Sequence, residues 1–360
     1  MSKKIVLVLS IILCLVGCGD TYTSEANNPS NAPIENGNLN VHFIDVGQAD
    51  ATLFSYNNKD DKYTVLFDTG DWQGDEVVPY LQEQNISHLD LVIISHPDAD
   101  HIGQLTDVLE NIQVEEVWMS GNESTSQTYL DAMEVILDQD ITYQEPRTGE
   151  EFTIGPLDIE VIYPETISGK SNEESVSIRL SYDEVSFLLT GDAGKQEELE
   201  MIETSKSLDS TVLHLGHHGS DTSSDTTFVK EVKPELAIYS AGQDNSYGHP
   251  SEEVIQLLNN ENIEWYGTDV NGTIIVETDG QEYSVQTDNP HDDSDPSECV
   301  NINEARAEEL QEIVHIGASR AEQIIEERPF ESLQDLDVIE GIGPSRIADI
   351  EEKGIVCSLE

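Results

Sequence analysis

Apolar residues in this chain come in many short runs rather than a few long ones. Between Leu39 and about residue 288, strand-like runs read LNVHFIDV, ATLFSY, YTVLFD, LDLVIIS, VEEVWM, LDIEVIY, SVSIRLSY, VSFLLT, STVLHL, ELAIYS, GTIIVE and EYSVQT. Residues 75–84, 125–138, 195–203 and 251–260 carry their apolar positions at helical spacing. Some strand runs follow one another directly and others are separated by a helical stretch. That order predicts an α/β unit of two mixed sheets covered by helices.

The pattern changes at both ends. DNPHDDSDPSE (288–298) is a charged, proline-containing linker, and residues 299–360 beyond it have almost no strand signal. They contain two similar units, IVHIGASRAEQII (313–325) and LDVIEGIGPSRIADI (336–350), which read as an internally duplicated all-α segment. At the start, Lys3 and Lys4 precede IVLVLSIILCLVG, too short for a comfortable membrane span and suited to the apolar region of a secretory signal. The expected organisation is a signal over 1–18, a polar tether over 19–38, an α/β domain over 39–288, a linker over 289–298 and a helical domain over 299–360.

Composition sharpens this reading. Sixteen basic against 73 acidic residues give a formal charge of −57, which implies a solvated, self-repelling surface and argues against a broad basic footprint for nucleic acid. Of the four cysteines, Cys14 lies in the signal and Cys18 at its end. Cys299 and Cys357 bracket the helical segment, and in an exported protein such a pair suggests a disulfide, with two free thiols the alternative. The LVGC ending resembles a bacterial lipobox with Cys18 as the lipidated first residue; a plain signal peptide or an anchor helix is the alternative. Lipidation would hold the protein at the outer face of the cytoplasmic membrane.

The chemistry concentrates in ISHPDADHIG (94–103), where His96, Asp98, Asp100 and His101 follow an apolar run. A loop at a strand end can curl such side chains around one point, and carboxylates with neutral imidazoles suit divalent ions. This stretch resembles the H-x-[HD]-x-D-H signature of the metallo-β-lactamase fold in its ComEC form. FIDVGQADA (43–51) and LFDTGD (66–71) before it, and NEESVSIRL (172–180), FLLTGDAG (187–194), HLGHHGS (214–220) and NSYGHPS (245–251) after it, appear in that family's order.

The resemblance implies an αββα sandwich holding two divalent ions and hydrolysing phosphodiesters. It assigns His96 and Asp98 to one ion, Asp100 and His101 to the other, Asp192 as the bridge and His218 as the completing ligand, with His217 its rival. Asn172 and Ser175 stand where related hydrolases have a third histidine, and Asp98 where they have a second. Oxygen in place of nitrogen favours Mn²⁺, with Mg²⁺ or Zn²⁺ the alternatives. Asp45 and Asp68, each after an apolar run, are expected to orient ligands. His249 either contacts substrate and donates a proton, alongside the catalytic Asp100 and Asp192, or caps the turn at Ser251.

The duplicated tail resembles the helix-hairpin-helix pair of ComEA-type DNA receptors, whose hairpins grip the DNA backbone without reading sequence. Gly317, Ser319 and Arg320 in the first hairpin, and Gly341, Gly343, Ser345 and Arg346 in the second, are the expected DNA contacts. His315 stands in the first turn where glycine is usual. Five basic against 16 acidic residues in 298–360 make the affinity expected of it low. The implied function is a surface DNA phosphodiesterase linked to DNA uptake and its machinery. The alternatives are a phosphodiesterase of another polymer, such as a cell-wall polymer, and a non-catalytic DNA receptor.

Overall fold

The computed structural model describes residues 37–289, apart from 60 and 244, and residues 300–356, apart from 304, 312, 331, 340, 354 and 355. The expected signal, the lipidated Cys18, most of the tether and linker, and the Cys299–Cys357 pair lie outside the described residues.

Two mixed sheets face each other. The first has eight strands in the order Tyr283–Thr287, Ile274–Thr278, Asn38–Phe43, Thr52–Asn58, Asp61–Phe67, Leu91–Ile94, Glu116–Met119 and Thr142–Gln144. The second has seven, in the order Glu264–Gly267, Leu236–Tyr239, Val212–His214, Val185–Leu189, Ser177–Tyr182, Leu157–Tyr163 and Glu151–Ile154. Side chains alternate across each strand, so one strand feeds two cores. Val65, Phe67, Leu91 and Ile93 point inward against Ile178, Phe187, Leu189 and Ile238 of the facing sheet. Leu66, Val92 and Ile94 point outward under the helices Val77–Glu83, Leu105–Asn111 and Gln127–Asp138. On the other side Leu188, Leu213 and Tyr239 pack under Lys195–Thr204, Thr226–Val232 and Glu252–Glu261. The result is an αββα sandwich, as the order of strands and helices predicts.

Each of the twelve expected runs forms a strand, and the four expected helices form within two residues of their expected limits. Among the described residues five additional strands form: Thr142–Gln144, Glu151–Ile154 and Glu264–Gly267 are edges of the two large sheets, and His88–Leu89 and Gln113–Val114 pair as a small sheet of their own. An edge strand buries little and shows correspondingly little apolar pattern. The helices Leu105–Asn111 and Thr226–Val232 are seven residues each, too short to display a clear period.

The tail is a separate helical core. Helices Ala307–Leu310 and Ala318–Glu327, a 3-10 segment Leu333–Val338 and helix Pro344–Lys353 enclose Ile302, Leu310, Ile316, Ile324, Leu336 and Ile350. Val300 and Val356 bridge in parallel, bringing the two ends of this segment together.

Candidate metal centre

Strands Asp61–Phe67 and Leu91–Ile94 of one sheet pair in parallel, as do Val185–Leu189 and Val212–His214 of the other, and all four end at one rim. Loops at the carboxyl ends of such strands are where α/β sheets collect polar groups. Backbone bonds tie these loops together. Asp68 N–H donates to Ile93 O (2.8 Å), Asp50 N–H to Asp100 O (3.1 Å), Thr69 N–H to His101 O (2.7 Å) and His217 N–H to Gly191 O (3.0 Å).

At the rim the two oxygens of Asp192 face different neighbours. Oδ1 lies 3.4 Å from His101 Nε2, whereas Oδ2 lies 3.7 Å from His96 Nε2 and 3.5 Å from His217 Nε2. Asp98 Oδ2 stands 3.9 Å from His96 Nε2 on one side. Asp100 Oδ2 stands 3.9 Å from His101 Nε2 and 3.4 Å from His218 Nε2 on the other. The resulting two half-sites are His96, Asp98, His217 and Asp192, and Asp100, His101, His218 and Asp192.

The fit to cations rests on unsatisfied groups. Nε2 of His96, His101 and His218, together with Oδ1 of Asp192, are buried without a hydrogen-bond partner among the described residues. Each such orphan costs about 1–3 kcal/mol. A cation bound by these atoms would satisfy them together. Asp50, His101, Asp192 and His218 place ligand-type atoms within 4.8 Å of one another. Electrostatics agree: burial drives His96 down to about 3. At His218 burial acts in the same sense, yet Asp50, Asp100 and Asp192 outweigh it and lift the ring to about 9. His101 is likewise raised well above its usual value, because Asp192 and Asp68 overcome its burial. Burial would raise Asp192, but His101, His96 and His218 hold it well below the carboxylate range.

Behind these groups lies a supporting layer. Asp68 sits fully buried and pairs with His101 Nδ1 (2.9 Å), while accepting from Ser95 N–H (2.7 Å) and Ser95 Oγ (2.8 Å). Burial lifts its carboxyl to about 6 even beside His101. Ser175 Oγ accepts from Asp192 N–H (3.1 Å), donates to Asn172 O (2.7 Å) and lies 3.3 Å from His96 Nδ1. Asn172 Nδ2 donates to Asp192 Oδ2 (3.3 Å). Asn172 and Ser175 therefore hold Asp192 and His96 in place.

Two expectations need correcting. Asp45 does not reach the centre: it is exposed, and its carboxylate accepts from Gly47 N–H (3.2 Å). The chain reverses at Gly47, which has φ of 72°, and the side chain delivered to the centre is Asp50. Asp50 Oδ2 lies 3.7 Å from Nδ1 of both His101 and His218. Those nitrogens already serve Asp68 and Ser240 O, so Asp50 supplies negative charge behind the rings. Asp50 closes GQAD rather than directly following an apolar run, so the local pattern marks Asp45 more strongly.

His217, second, is not a rival of His218. Both adopt left-handed backbone, with φ of 52° and 58°, a conformation that costs about 1–2 kcal/mol per residue. That turn sends the two imidazoles to opposite sides of Asp192, so the first half-site holds more nitrogen than expected.

A cavity of about 660 Å³ opens in front of the centre, lined by Asp100, His217, His218 and His249. His249 Nδ1 is buried there without a hydrogen-bond partner among the described residues. Burial, with His218 and His217 nearby, lowers its pKa. The helix Glu252–Glu261 is capped by Ser251, whose side chain accepts from Val254 N–H, so His249 is left facing the cavity.

In the tail the duplication has a structural counterpart. Arg320 donates to His315 O and Arg346 to Gly341 O, both at 2.7 Å and both five residues back. One nitrogen of each arginine is thus committed to its own turn. His315 and Gly341 share the left-handed conformation, φ 71° and 79°, and His315 is further held by Asp349 at 2.9 Å. A side chain at Gly317 or Gly343 would meet nothing within 4 Å, and neither residue has positive φ.

Two facing mixed sheets clad in helices, with Asp and His side chains gathered where strand ends of both sheets meet, define a metallo-beta-lactamase fold. Residues 44–243 match the metallo-beta-lactamase superfamily, and the chain belongs to it. Residues 295–353 match a helix-hairpin-helix motif. Among curated relatives, ComE operon protein 3 of Bacillus subtilis is 29% identical over 72% of this chain and 35% of its own length. Recombination protein 2 of Haemophilus influenzae is 30% identical over 66% of this chain and 28% of its own, and competence protein ComA of Neisseria gonorrhoeae 29% over 64% and 31%. The chain spans about a third of the length of these relatives.

Proposed function

We propose that this protein is a two-metal phosphodiesterase acting on DNA, held at the outer face of the cytoplasmic membrane through a lipid on Cys18. The observation that carries the reading is Asp192. Its two oxygens face separate groups of nitrogen and carboxylate ligands, as a bridge between two ions requires. A bound ion pair supplies an activated water and polarises a phosphoryl oxygen. The chain's own contributions are positional. Asp68 fixes the His101 ring, Asn172 and Ser175 fix Asp192 and His96, and His249, whose pKa burial lowers, faces the cavity, placed to take up a proton released there. Three carboxylates, Asp98, Asp100 and Asp192, stand beside four imidazoles in the two half-sites, a mixed oxygen and nitrogen set that accommodates Mn²⁺, the ion we favour, as well as Zn²⁺.

DNA as substrate draws support from the helix-hairpin-helix motif in the same chain and from the competence and recombination names of its relatives. A role beside DNA-uptake machinery follows from the same likeness. Open ground in front of Gly317 and Gly343 suits close approach of a phosphate to backbone N–H groups. Incubating purified protein with single- and double-stranded DNA under Mn²⁺, Mg²⁺ and Zn²⁺ tests the reading. Hydrolysis highest with Mn²⁺ is expected. Binding without hydrolysis under every ion would make the protein a DNA receptor instead. Mass spectrometry of the mature N-terminus should show a diacylglyceryl group on Cys18, and non-reducing peptide mapping a Cys299–Cys357 link.

A further inference from the structure

Large aromatic side chains are seldom left mostly in water, yet two stand at the mouth of the metal cavity. Trp72 is 58% exposed and Tyr247 73%, and both line the 660 Å³ cavity that reaches His217 and His218. Among the described residues, the other large hydrophobic side chains exposed to this degree are all aliphatic.

Neither aromatic is exposed because its loop is loose. Trp72 N–H donates to Ala99 O (3.0 Å) within the ligand loop, and a Cβ on Gly103 would come within 2.2 Å of Trp72 N, so the two segments are pressed together. Tyr247 follows Asn245, whose Oδ1 accepts from the backbone N–H groups of Tyr247, Gly248 and His249 at 3.0–3.2 Å. The rings are held outward by fixed backbone.

Tyr247 also begins a ladder of rings leading inward. It stacks on His249 with centroids 5.9 Å apart and planes 26° apart, and His249 stacks on His218 at 6.3 Å and 23°. Besides the histidines of the centre and two glutamines, the polar part of the cavity wall is acidic, with Asp71, Glu76 and Asp100, and among the described residues it includes no lysine or arginine. A polyanion cannot be held there by lysine or arginine side chains. Its phosphates would be drawn to the ions, and the rest of the affinity must come from flat faces.

We propose that Trp72 and Tyr247 are substrate-positioning residues that stack the unpaired bases flanking the scissile phosphodiester, so that the site selects single-stranded over paired DNA. This rests on the phosphodiesterase reading. Base faces are inaccessible within a duplex but available in a single strand or a frayed end. Stacking one base on one aromatic ring corresponds to roughly 5- to 150-fold in affinity.

The test uses the full chain with Mn²⁺, a single-stranded oligothymidylate, and the same oligomer with abasic residues throughout. Trp72→Ala and Tyr247→Ala should each lose about 5- to 150-fold in kcat/KM on oligothymidylate, chiefly through KM. Both should change little on the abasic strand, and Trp72→Phe and Tyr247→Phe should recover most of the loss. Equal losses on the two strands, no loss, or failure of both phenylalanine variants to rescue would overturn the proposal.

Quenching of tryptophan fluorescence by oligothymidylate, with Trp72→Phe as reference, reads the stacking without turnover. If no ion supports hydrolysis but the Trp72-dependent quenching is present, the phosphodiesterase reading fails and the stacking site stands. If a polyol-phosphate polymer quenches Trp72 and oligothymidylate does not, the rings recognise sugar and the proposal falls.

Discussion

Replacing Asp192 by asparagine removes one charge and one ligand oxygen while keeping the shape of the side chain. The structure indicates which oxygen is lost. Asn172 Nδ2 donates to Asp192 Oδ2, so the amide oxygen of the variant should take that place and its NH2 group should face His101 Nε2, where Oδ1 stood 3.4 Å away. The half-site of Asp100, His101 and His218 should then lose a ligand and gain a donor that cannot bind a cation. Substituting a residue that only supports a ligand costs 10- to 100-fold in metal affinity, so loss of the ligand itself should cost at least about 100-fold, near 2.7 kcal/mol. Elemental analysis after desalting should show two Mn²⁺ per wild-type chain and one per Asp192→Asn chain. Hydrolysis of DNA should fall to about a hundredth of wild type or below, with an unchanged circular dichroism spectrum. A variant that keeps both ions and full turnover would refute the bridging role and the two-metal mechanism with it.

Asp68→Asn, which weakens the hold on His101 Nδ1, should lower affinity for one ion by about 10- to 100-fold, read by calorimetric Mn²⁺ titration. Asp98→His replaces oxygen by nitrogen beside His96 and should shift the ratio of Zn²⁺- to Mn²⁺-supported activity toward zinc. In the tail, Gly343→Val should abolish DNA binding with little change in Tm, because its side chain enters open space. Gly341→Val should instead lower Tm, because φ is 79° and a Cβ would stand 2.9 Å from Arg320 Nη2; reversal of the two phenotypes would contradict this assignment. Burial lifts Glu198 from 4.5 to about 7, although it accepts from the Ser224 and Asp225 N–H groups, both at 2.7 Å. The folded state therefore keeps a proton that the unfolded chain has released. Wild-type stability relative to Glu198→Gln should fall between about pH 4.5 and 7, by at most about 3 kcal/mol, and a difference independent of pH in urea unfolding would refute the shift.

Local pattern sufficed for the layers. Period-two apolar runs can only be strands with two faces, and their alternation with helical stretches leaves few arrangements other than sheets facing each other under helices. The ligand loop was legible for a related reason: His96, Asp98, Asp100 and His101 are close in sequence, so one strand end brings them together whatever surrounds it. The duplicated tail was legible because each hairpin is made of neighbouring residues, whereas the structure alone shows that Arg320 and Arg346, expected as DNA contacts, each close their turn five residues back.

What depended on distant segments could not be read this way. Asp50 reaches the centre because the chain reverses at Gly47 and Asp50 N–H binds Asp100 O, whereas Asp45, with the stronger local signal, is turned to solvent. The division of labour between His217 and His218 depends on a left-handed turn that residues of this type do not favour, held in part by Gly191 O from the neighbouring loop. Trp72 and Tyr247 lie 175 positions apart, and neither carries a local mark of function. Only packing of the two loops beside the rim sets both rings at one cavity mouth, because side-chain direction at a loop is decided by what the backbone is tied to rather than by the residues on either side.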